Sequence, residues 1–432
     1  MTHSIGAREA ERVDAAAAAL LDARFAAAKE ASRKLARATS AEKNAALATI
    51  AAQLRAAAPR IVAANAEDLA RGRAEGLSAG LLDRLTLTTA RIEAIAEAVG
   101  EVIALADPVG QSVAGRTLPN GVRIDQIRVP LGVVGAIYEA RPNVTIDIAV
   151  LALKSGNAVV LRGGTSAEHS NRVIIQVLRD GLAAAGLPAD CVQTVDDYGR
   201  AGARHLMGAR GYVDVLIPRG SAALIRTVVS EAHVPVIETG AGVVHMFLDE
   251  SAPLDWAVEL VHNAKVQRPS VCNALETLLV HQDAAERLLP AVFERLRGSG
   301  VTIHADERVR AYHPDTVAAT LEDWETEYLS LDLSVAIVDS LDGALAHIRR
   351  YSTGHTESIV TNDLASAERF LAEVDAAAVM VNASTRFADG GEFGFGAEVG
   401  ISTQKLHARG PMGLSELTST KWIVRGNGHV RH

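Results

Sequence analysis

Five short β-branched runs between residues 131 and 240, spaced by helix-patterned segments, constrain this chain more than any other feature. The runs are GVVGAIY, NAVVLRG, CVQTVD, VDVLIPRG and VPVIET. Between them lie VTIDIAVLALKS, AEHSNRVIIQVLRDGLAAAG, GRAGARHLMGA and SAALIRTVVSEA, with apolar residues at helical spacing. A strand returns parallel to its predecessor only through a crossover, and a helix is the compact way to make one. The alternation therefore predicts a parallel α/β sheet. A second α/β section follows from 241 to about 405, with strands ALETLLV, LSVAIVD, ESIVTN and AAVMVN.

With 432 residues, the chain exceeds one simple core, so two or three domains are expected. Aromatics are 4% of the residues and alanine is abundant, which favours helices packed on an aliphatic sheet. Residues 8–106 form an Ala-rich helical lead-in, where Ser40 reads as an N-cap with Glu42 in the first turn. Between 110 and 130, Asn120-Gly121 flanked by alternating apolar residues signals a hairpin. A lone two-stranded ribbon is only marginally stable, so this one needs a partner strand, in this chain or another subunit. Residues 417–432 supply a strand-like run at the end of the chain.

Composition narrows the function classes. A net charge of −9 argues against nucleic acid as the main partner, because phosphate binding needs a clustered basic face. Two cysteines cannot build a disulfide framework, and the N-terminus has no apolar signal-peptide core. No uncharged apolar run reaches the ~18 residues of a membrane span. A cytoplasmic protein, with no membrane span and no nucleic acid as main partner, is the expectation.

The chemistry centres on Cys272, in the polar stretch NAKVQRPSVCNALE with Lys265 and Arg268 upstream. Nearby positive charge lowers a thiol's pKa toward neutrality, and the thiolate is the nucleophile. Glu238 lies 34 residues earlier (272 minus 238), in VIETGAGVVHMFLDE, a strand-like run that breaks at glycines. A carboxylate and a thiol so placed form a candidate base and nucleophile. Cys191, in LPADCVQT, has no such surroundings. His245 and His262 flank these segments without metal-ligand spacing, so no metal is expected.

Two strand-to-helix turns suit a nucleotide. Arg162-Gly163-Gly164-Thr165-Ser166 follows VVL, where glycines and hydroxyls permit close backbone approach to a sugar or phosphate. Pro218-Arg219-Gly220-Ser221 opens the helix SAALIRTVVSEA, whose free N–H groups suit a pyrophosphate. The competing reading makes both turns structural, and no G-x-G-x-x-G follows a strand.

These segments together resemble the aldehyde dehydrogenase superfamily and, within it, the γ-glutamyl phosphate reductases (glutamate-5-semialdehyde dehydrogenases). The resemblance is carried by VPLGVVGAIYEARPNVTIDIAVLALKSGNAVVLRGG, IPRGSAALI, IETGAG, HNAKVQRPSVCNALETLLV and GPMGL. It implies three domains: a cofactor-binding domain (1–111 and 131–240) of five-stranded nucleotide-binding topology, a catalytic domain (241–410), and an oligomerisation unit (112–130 and 411–432) that makes the protein a homo-oligomer. It also implies Cys272 as nucleophile, Glu238 as general base and Asn143 as oxyanion donor. Arg162, with Gly163, Gly164 and Thr165, would face the adenosine ribose. Gly220 and Ser221 would lie beneath the pyrophosphate, and Glu327 would hold the nicotinamide ribose. Related reductases carry lysine and glutamate where this chain has Thr165 and Ser166, so NADPH preference rests on Arg162.

The implied substrate is L-glutamyl 5-phosphate, whose phosphate and carboxylate call for cations. Arg141, Arg268 and Arg386 sit in the right kinds of loop. The polar loop STGHTES at 352–358 reads either as pocket lining or as a plain connector. Rival readings are a dehydrogenase that hydrolyses its thioester to a free acid, a metal-dependent alcohol oxidoreductase such as histidinol dehydrogenase, and a non-catalytic scaffold.

Overall fold

The computed structural model describes residues 13–139 and 141–431. They fall into two units: the chain up to Glu238 with 395–400 and 412 onward, and 239–394 with 401–411.

In the first unit, β1 (Ser112–Thr117) and β2 (Arg123–Pro130) pair antiparallel through the Asn120-Gly121 turn, where Gly121 takes φ 90°. The ribbon gains a third strand from the chain's end. Thr418–Arg425 pairs antiparallel with the other edge of β2, and Asn157 Nδ2 donates to Leu417 O at 2.8 Å. The parallel sheet consists of β3 (Val133–Tyr138), β4 (Ala158–Arg162), β5 (Val192–Thr194) and β6 (Val215–Arg219), in the order β5-β4-β3-β6. β3 is buried at every position, as a strand covered by helices on both faces must be. The expected fifth strand, VPVIET, is reduced to a bridge between Leu216 and Val236. Pro235 has no N–H to donate; its carbonyl accepts from Leu216 N at 2.8 Å, and Ile237 N donates back to Leu216 O at 2.9 Å. Pairing then stops.

The helical lead-in packs onto this sheet's helices. Ser40 is not the N-cap of the helix Ser40–Ala74; Thr39 is. Glu42 lies three residues after Thr39, and the two exchange bonds: Thr39 N to Glu42 Oε2 at 2.7 Å, and Glu42 N to Thr39 Oγ1 at 3.2 Å. The helix crosses Glu168–Ala184 closely, because a Cβ at Gly181 would come within 2.6 Å of Ile50. Near its end, fully buried Asp68 accepts from Ser170 N (2.8 Å), Ser170 Oγ (2.7 Å) and His169 N (3.1 Å), and pairs with Arg71 at 2.9 Å. A carboxylate from the lead-in thus serves the orphan amides at the start of Glu168–Ala184.

The second unit holds β7 (Val244–Leu248), β8 (Leu275–His281), β9 (Thr302–Ala305), β10 (Val317–Ala318), β11 (Asp332–Val338), β12 (Thr356–Val360) and β13 (Ala378–Val381). They form one sheet in the order β10-β9-β11-β8-β7-β12-β13, parallel at every junction. β9 and β10 escaped the sequence reading because two to four residues are too few to show a period. Met246 and Leu248 pack with Ala257, Val261 and Leu288 on one face, and Phe247 with Leu345, Ile348 and Phe370 on the other. A small antiparallel pair, β14 (Ile401–Ser402) and β15 (Gly410–Pro411), completes the unit.

One irregularity lies at the start of β8. Between β7 and β8 the register slips: Val244 faces Leu275, His245 faces Thr277, and Glu276 is the extra residue of a bulge. Glu276 and Lys265 are both fully buried, and Lys265 Nζ donates to Glu276 Oε2 at 2.6 Å. Leu329 N donates to Glu276 Oε1 at 3.2 Å, with Leu329 held at φ 55°. Burial pushes the Glu276 carboxyl up to about 7 despite Lys265, and holds the Lys265 ammonium below its ordinary value.

Two outcomes are expected. Asp68→Ala strands buried donors and should cost roughly 2–4 kcal/mol of stability, read by denaturant titration; a loss below about 0.5 kcal/mol would contradict the capping role. The folded chain keeps a proton on Glu276 that an unfolded carboxyl, at its ordinary 4.5, has released. Stability from this group is therefore complete below that value and is lost as pH rises through about 7. Calorimetric Tm should fall more steeply between about pH 5 and 7.5 in the wild type than in Glu276→Gln. Equal slopes would refute the assignment.

Candidate active site

The helix Leu254–Val266 ends ahead of Pro269, which cannot continue it, and residues 267–274 turn into β8. Cys272 is half-buried in this turn. Hydrogen bonds stitch the turn to the segment after β13, among them Asn273 Nδ2 to Ala388 O (2.9 Å), Thr385 Oγ1 to Asn273 O (2.8 Å) and Arg386 Nε to Gln267 Oε1 (2.8 Å). Ala388 packs on Ala378 and Met380, so the chain doubles back along β13 to reach Cys272. Burial holds the half-buried Arg386 guanidinium below its ordinary value, while Asp389, Arg268 and Cys272 all lie within electrostatic reach of it. Cys272, Arg268 and Arg386 are thus gathered by two loops 114 residues apart (386 minus 272).

Lys265 does not belong to that cationic surrounding. It lies in the last turn of its helix, fully buried and committed to Glu276. Arg386 is within electrostatic reach of Cys272, and Arg268 within reach of Arg386.

Beneath the turn lies the glycine segment of IETGAG. A Cβ at Gly242 would collide with the carbonyl oxygen of Cys272, and one at Gly240 with the side chain of Thr403. Only glycine allows these approaches. Gly240 N donates to Ile401 O at 3.1 Å, Gly242 N to Glu327 Oε1 at 2.8 Å, and Val243 N to Thr353 Oγ1 at 3.1 Å. Thr353 belongs to STGHTES, so that loop anchors the backbone leading into β7. His245 is fully buried against Glu357, 3.1 Å from its Nδ1, and His262 Nε2 meets Ser299 Oγ at 2.9 Å; both have structural partners. Glu238 is half-buried in the irregular segment before these glycines, not at a strand end. Cys191 is fully buried, and burial pushes its thiol up to about 12, consistent with an inert sulfur.

The two glycine turns lie in the first unit, at the carboxyl ends of β4 and β6. Arg162 ends β4. Gly163 N donates to Asp196 Oδ1 at 2.7 Å, and a Cβ on Gly163 would collide with Asn171. Asn171 Oδ1 accepts from Thr145 Oγ1 at 2.8 Å, and Thr145 Oγ1 meets Tyr138 OH at 2.7 Å, a buried chain beneath the turn. Gly164 N-caps the 3-10 turn Thr165–Ala167, and Arg71 Nη2 donates to Thr165 O. At the second turn the amide expected to be free is taken. Glu139 Oε2 accepts from Ser221 N at 2.8 Å, Ser221 Oγ donates to Glu139 Oε1 at 3.1 Å, and a Cβ on Gly220 would come within 2.6 Å of Glu139.

A dinucleotide fits the first turn. Arg162 Nε and Asp196 Oδ2 are buried polar atoms without a partner, and Arg200 lies within electrostatic reach of Arg162. Burial holds the Asp196 carboxyl up at about 6, which softens its repulsion of a phosphate. At the second turn a diphosphate would have to replace Glu139.

Asn143 and Arg141 open the helix Pro142–Lys154. Asn143 Nδ2 donates to Asp147 Oδ2 at 3.1 Å, one turn on. Desolvation pushes the Asp147 carboxyl up to about 6, against that bond and the charge of Arg219. An amide nitrogen carries two hydrogens, so this bond leaves one of them for another acceptor.

Sequence reading missed Asp68, Glu139, Asp196, Glu276 and Gln267. Glu276 had a signal, as the one carboxylate inside the apolar strand LETLLVH. Asp196 had a weaker one, two residues beyond the end of β5. Glu139 and Gln267 had none, since their partners lie 82 and 119 residues away.

Comparison with known proteins identifies the family. The aldehyde dehydrogenase family matches residues 4–311. The γ-glutamyl phosphate reductase of Leifsonia xyli subsp. xyli is 69% identical over 94% of this chain and 97% of its own. That of Clavibacter michiganensis subsp. michiganensis is 67% identical over 94% of each. The crystal structure of γ-glutamyl phosphate reductase from Thermotoga maritima superposes with a TM-score of 0.94 at 46% identity, over 95% of this chain and all of that one. An acetylating aldehyde dehydrogenase from Geobacillus thermoglucosidasius, 18% identical over 96% of this chain and 98% of its own with a TM-score of 0.69, shares the fold. By these similarities the chain, with a half-buried cysteine ahead of a parallel strand, belongs to the aldehyde dehydrogenase family, in its γ-glutamyl phosphate reductase branch.

Proposed function

We propose that this chain reduces L-glutamyl 5-phosphate to L-glutamate 5-semialdehyde and phosphate, the second step from glutamate toward proline, with NADPH as reductant. The observation that carries this reading is the grouping of Cys272 with Arg268 and Arg386. A thiolate with a guanidinium group within electrostatic reach suits attack on an anionic acyl donor. The same arginines attract phosphate, and each charge-assisted contact is worth about 1.5–3 kcal/mol. Arg386 has already lost part of its hydration to burial, so it gives up little more on meeting an anion.

In this mechanism Cys272 Sγ attacks the carbonyl carbon, the carbon–oxygen bond to phosphate breaks, and phosphate leaves with the electron pair. A thioester on Cys272 results. The nicotinamide, when bound, supplies the hydride that reduces this thioester. The thiohemiacetal on Cys272 then collapses, the carbon–sulfur bond breaks, and the thiolate is regenerated as the aldehyde leaves. Backbone N–H of Cys272 and the amide of Asn143 are the proposed donors to the carbonyl oxygen during both additions. Glu238 is the candidate base, with no water to activate in the reductive direction. Arg141 is proposed for the substrate's anionic groups. Arg162, with the Gly163–Thr165 turn, is proposed for the adenosine ribose and its 2′-phosphate, Gly220 and Ser221 for the diphosphate, and Glu327 for the nicotinamide ribose.

Assembly as a homo-oligomer is proposed through the three-stranded ribbon. β1 is exposed at every position, and a bare edge of that kind invites another strand.

In the oxidative direction, NADP reduction by the semialdehyde should require inorganic phosphate. Turnover at full rate without phosphate would instead favour the hydrolytic aldehyde dehydrogenase. Cys272→Ser and Cys272→Ala should abolish this turnover while keeping the wild-type circular dichroism spectrum. Activity within about tenfold of wild type would remove the thiol from the mechanism.

A further inference from the structure

We propose that Glu327 is a positioning residue for the nucleophile: through the N–H of Gly242 it holds the backbone platform on which the Cys272 carbonyl rests. This rests on reading Cys272 as the nucleophile. The path is short. Glu327 Oε1 accepts from Gly242 N at 2.8 Å, and Gly242 packs so tightly under the Cys272 carbonyl that no methyl group fits between them. Packed interiors transmit displacement rather than absorb it, so movement of Gly242 reaches the residue that bears Sγ.

The amides around Gly242 are bound by other groups, and that of Gly242 by Glu327. Gly240 N is bound by Ile401 O, Val243 N by Thr353 Oγ1, and His245 N by Glu357 Oε2 at 2.9 Å. Glu327 also reaches Gly242 from far away in sequence, 85 residues on. A carboxylate accepting a backbone N–H makes a bond roughly twice as strong as a neutral acceptor does. This role is separate from any contact Glu327 makes with a cofactor. A cofactor contact needs the dinucleotide, whereas the Gly242 bond exists in the chain alone. The two roles therefore part in the ligand-free protein.

The experiment is alkylation of Cys272 by iodoacetamide in the full-length protein without cofactor, followed by peptide mass spectrometry, with buried Cys191 as internal reference. Glu327→Ala removes the acceptor and should slow Cys272 alkylation at least threefold. Glu327→Gln keeps an oxygen at the same reach and should restore the rate to within about twofold of wild type. Glu327→Met fills the volume without the acceptor, and replaces the alanine variant if that one does not fold. A rate in Glu327→Ala or Glu327→Met less than threefold below wild type overturns the proposal, as does a glutamine variant as slow as alanine. A weaker NADP affinity, by titration calorimetry, with unchanged alkylation would assign Glu327 to the cofactor alone. Should Cys272→Ser retain turnover, the nucleophile assignment fails separately, because the alkylation rates still report the turn's geometry.

Discussion

A buried ion pair closes the loop on which the proposed chemistry depends. Lys265, in the last turn of its helix, and Glu276, at the bulge in β8, meet at 2.6 Å with neither exposed to solvent. Between them runs the turn that carries Cys272, so both its ends are tied together. Burial keeps the proton on Glu276 up to about 7, so the contact is fully charged only above that value. Its effect is on register. Glu276 reaches Lys265 only from the extra position of the bulge, and a one-residue slip would aim it at the opposite face of the sheet.

Around that closed loop, backbone amides are held by acceptors from distant segments. Gly242 approaches Cys272 O, Gly240 approaches Thr403, and the amides of Gly240, Gly242 and Val243 each have a defined acceptor. In the first unit the same economy appears with carboxylates. Asp68 serves the start of Glu168–Ala184, Glu139 the start of Ala222–Glu231, and Asp196 the amide of Gly163. Amides at the carboxyl edge of a parallel sheet attract anions, and in the chain alone its own acids fill that need.

Much of the fold was legible because its strands are long enough to show a pattern. The runs at β3, β4, β8 and β11 are continuous and aliphatic, and the helices between them keep a 3.6-residue period. β9 and β10 were not, and Pro235 cut an apparent strand down to a bridge. Cys272 was legible because a thiol in a polar, arginine-bearing turn is unusual in any soluble chain. Its true electrostatic partner was not: Lys265 looked closer in sequence, yet Arg386 is the cation the fold delivers.

The sequence by itself determined the α/β class and the glycine turns, and put forward the Cys272 sulfur, since these follow from local pattern and from residue chemistry. Only tertiary structure decided which charges face that sulfur, which amides are already taken, and that Glu327 bonds to Gly242. Those are contacts between residues tens to more than a hundred positions apart, and chain spacing carries no record of them. Burial then set the rest. Glu276 and Asp196 keep their protons well above the ordinary carboxylate range because the folded chain removes their water.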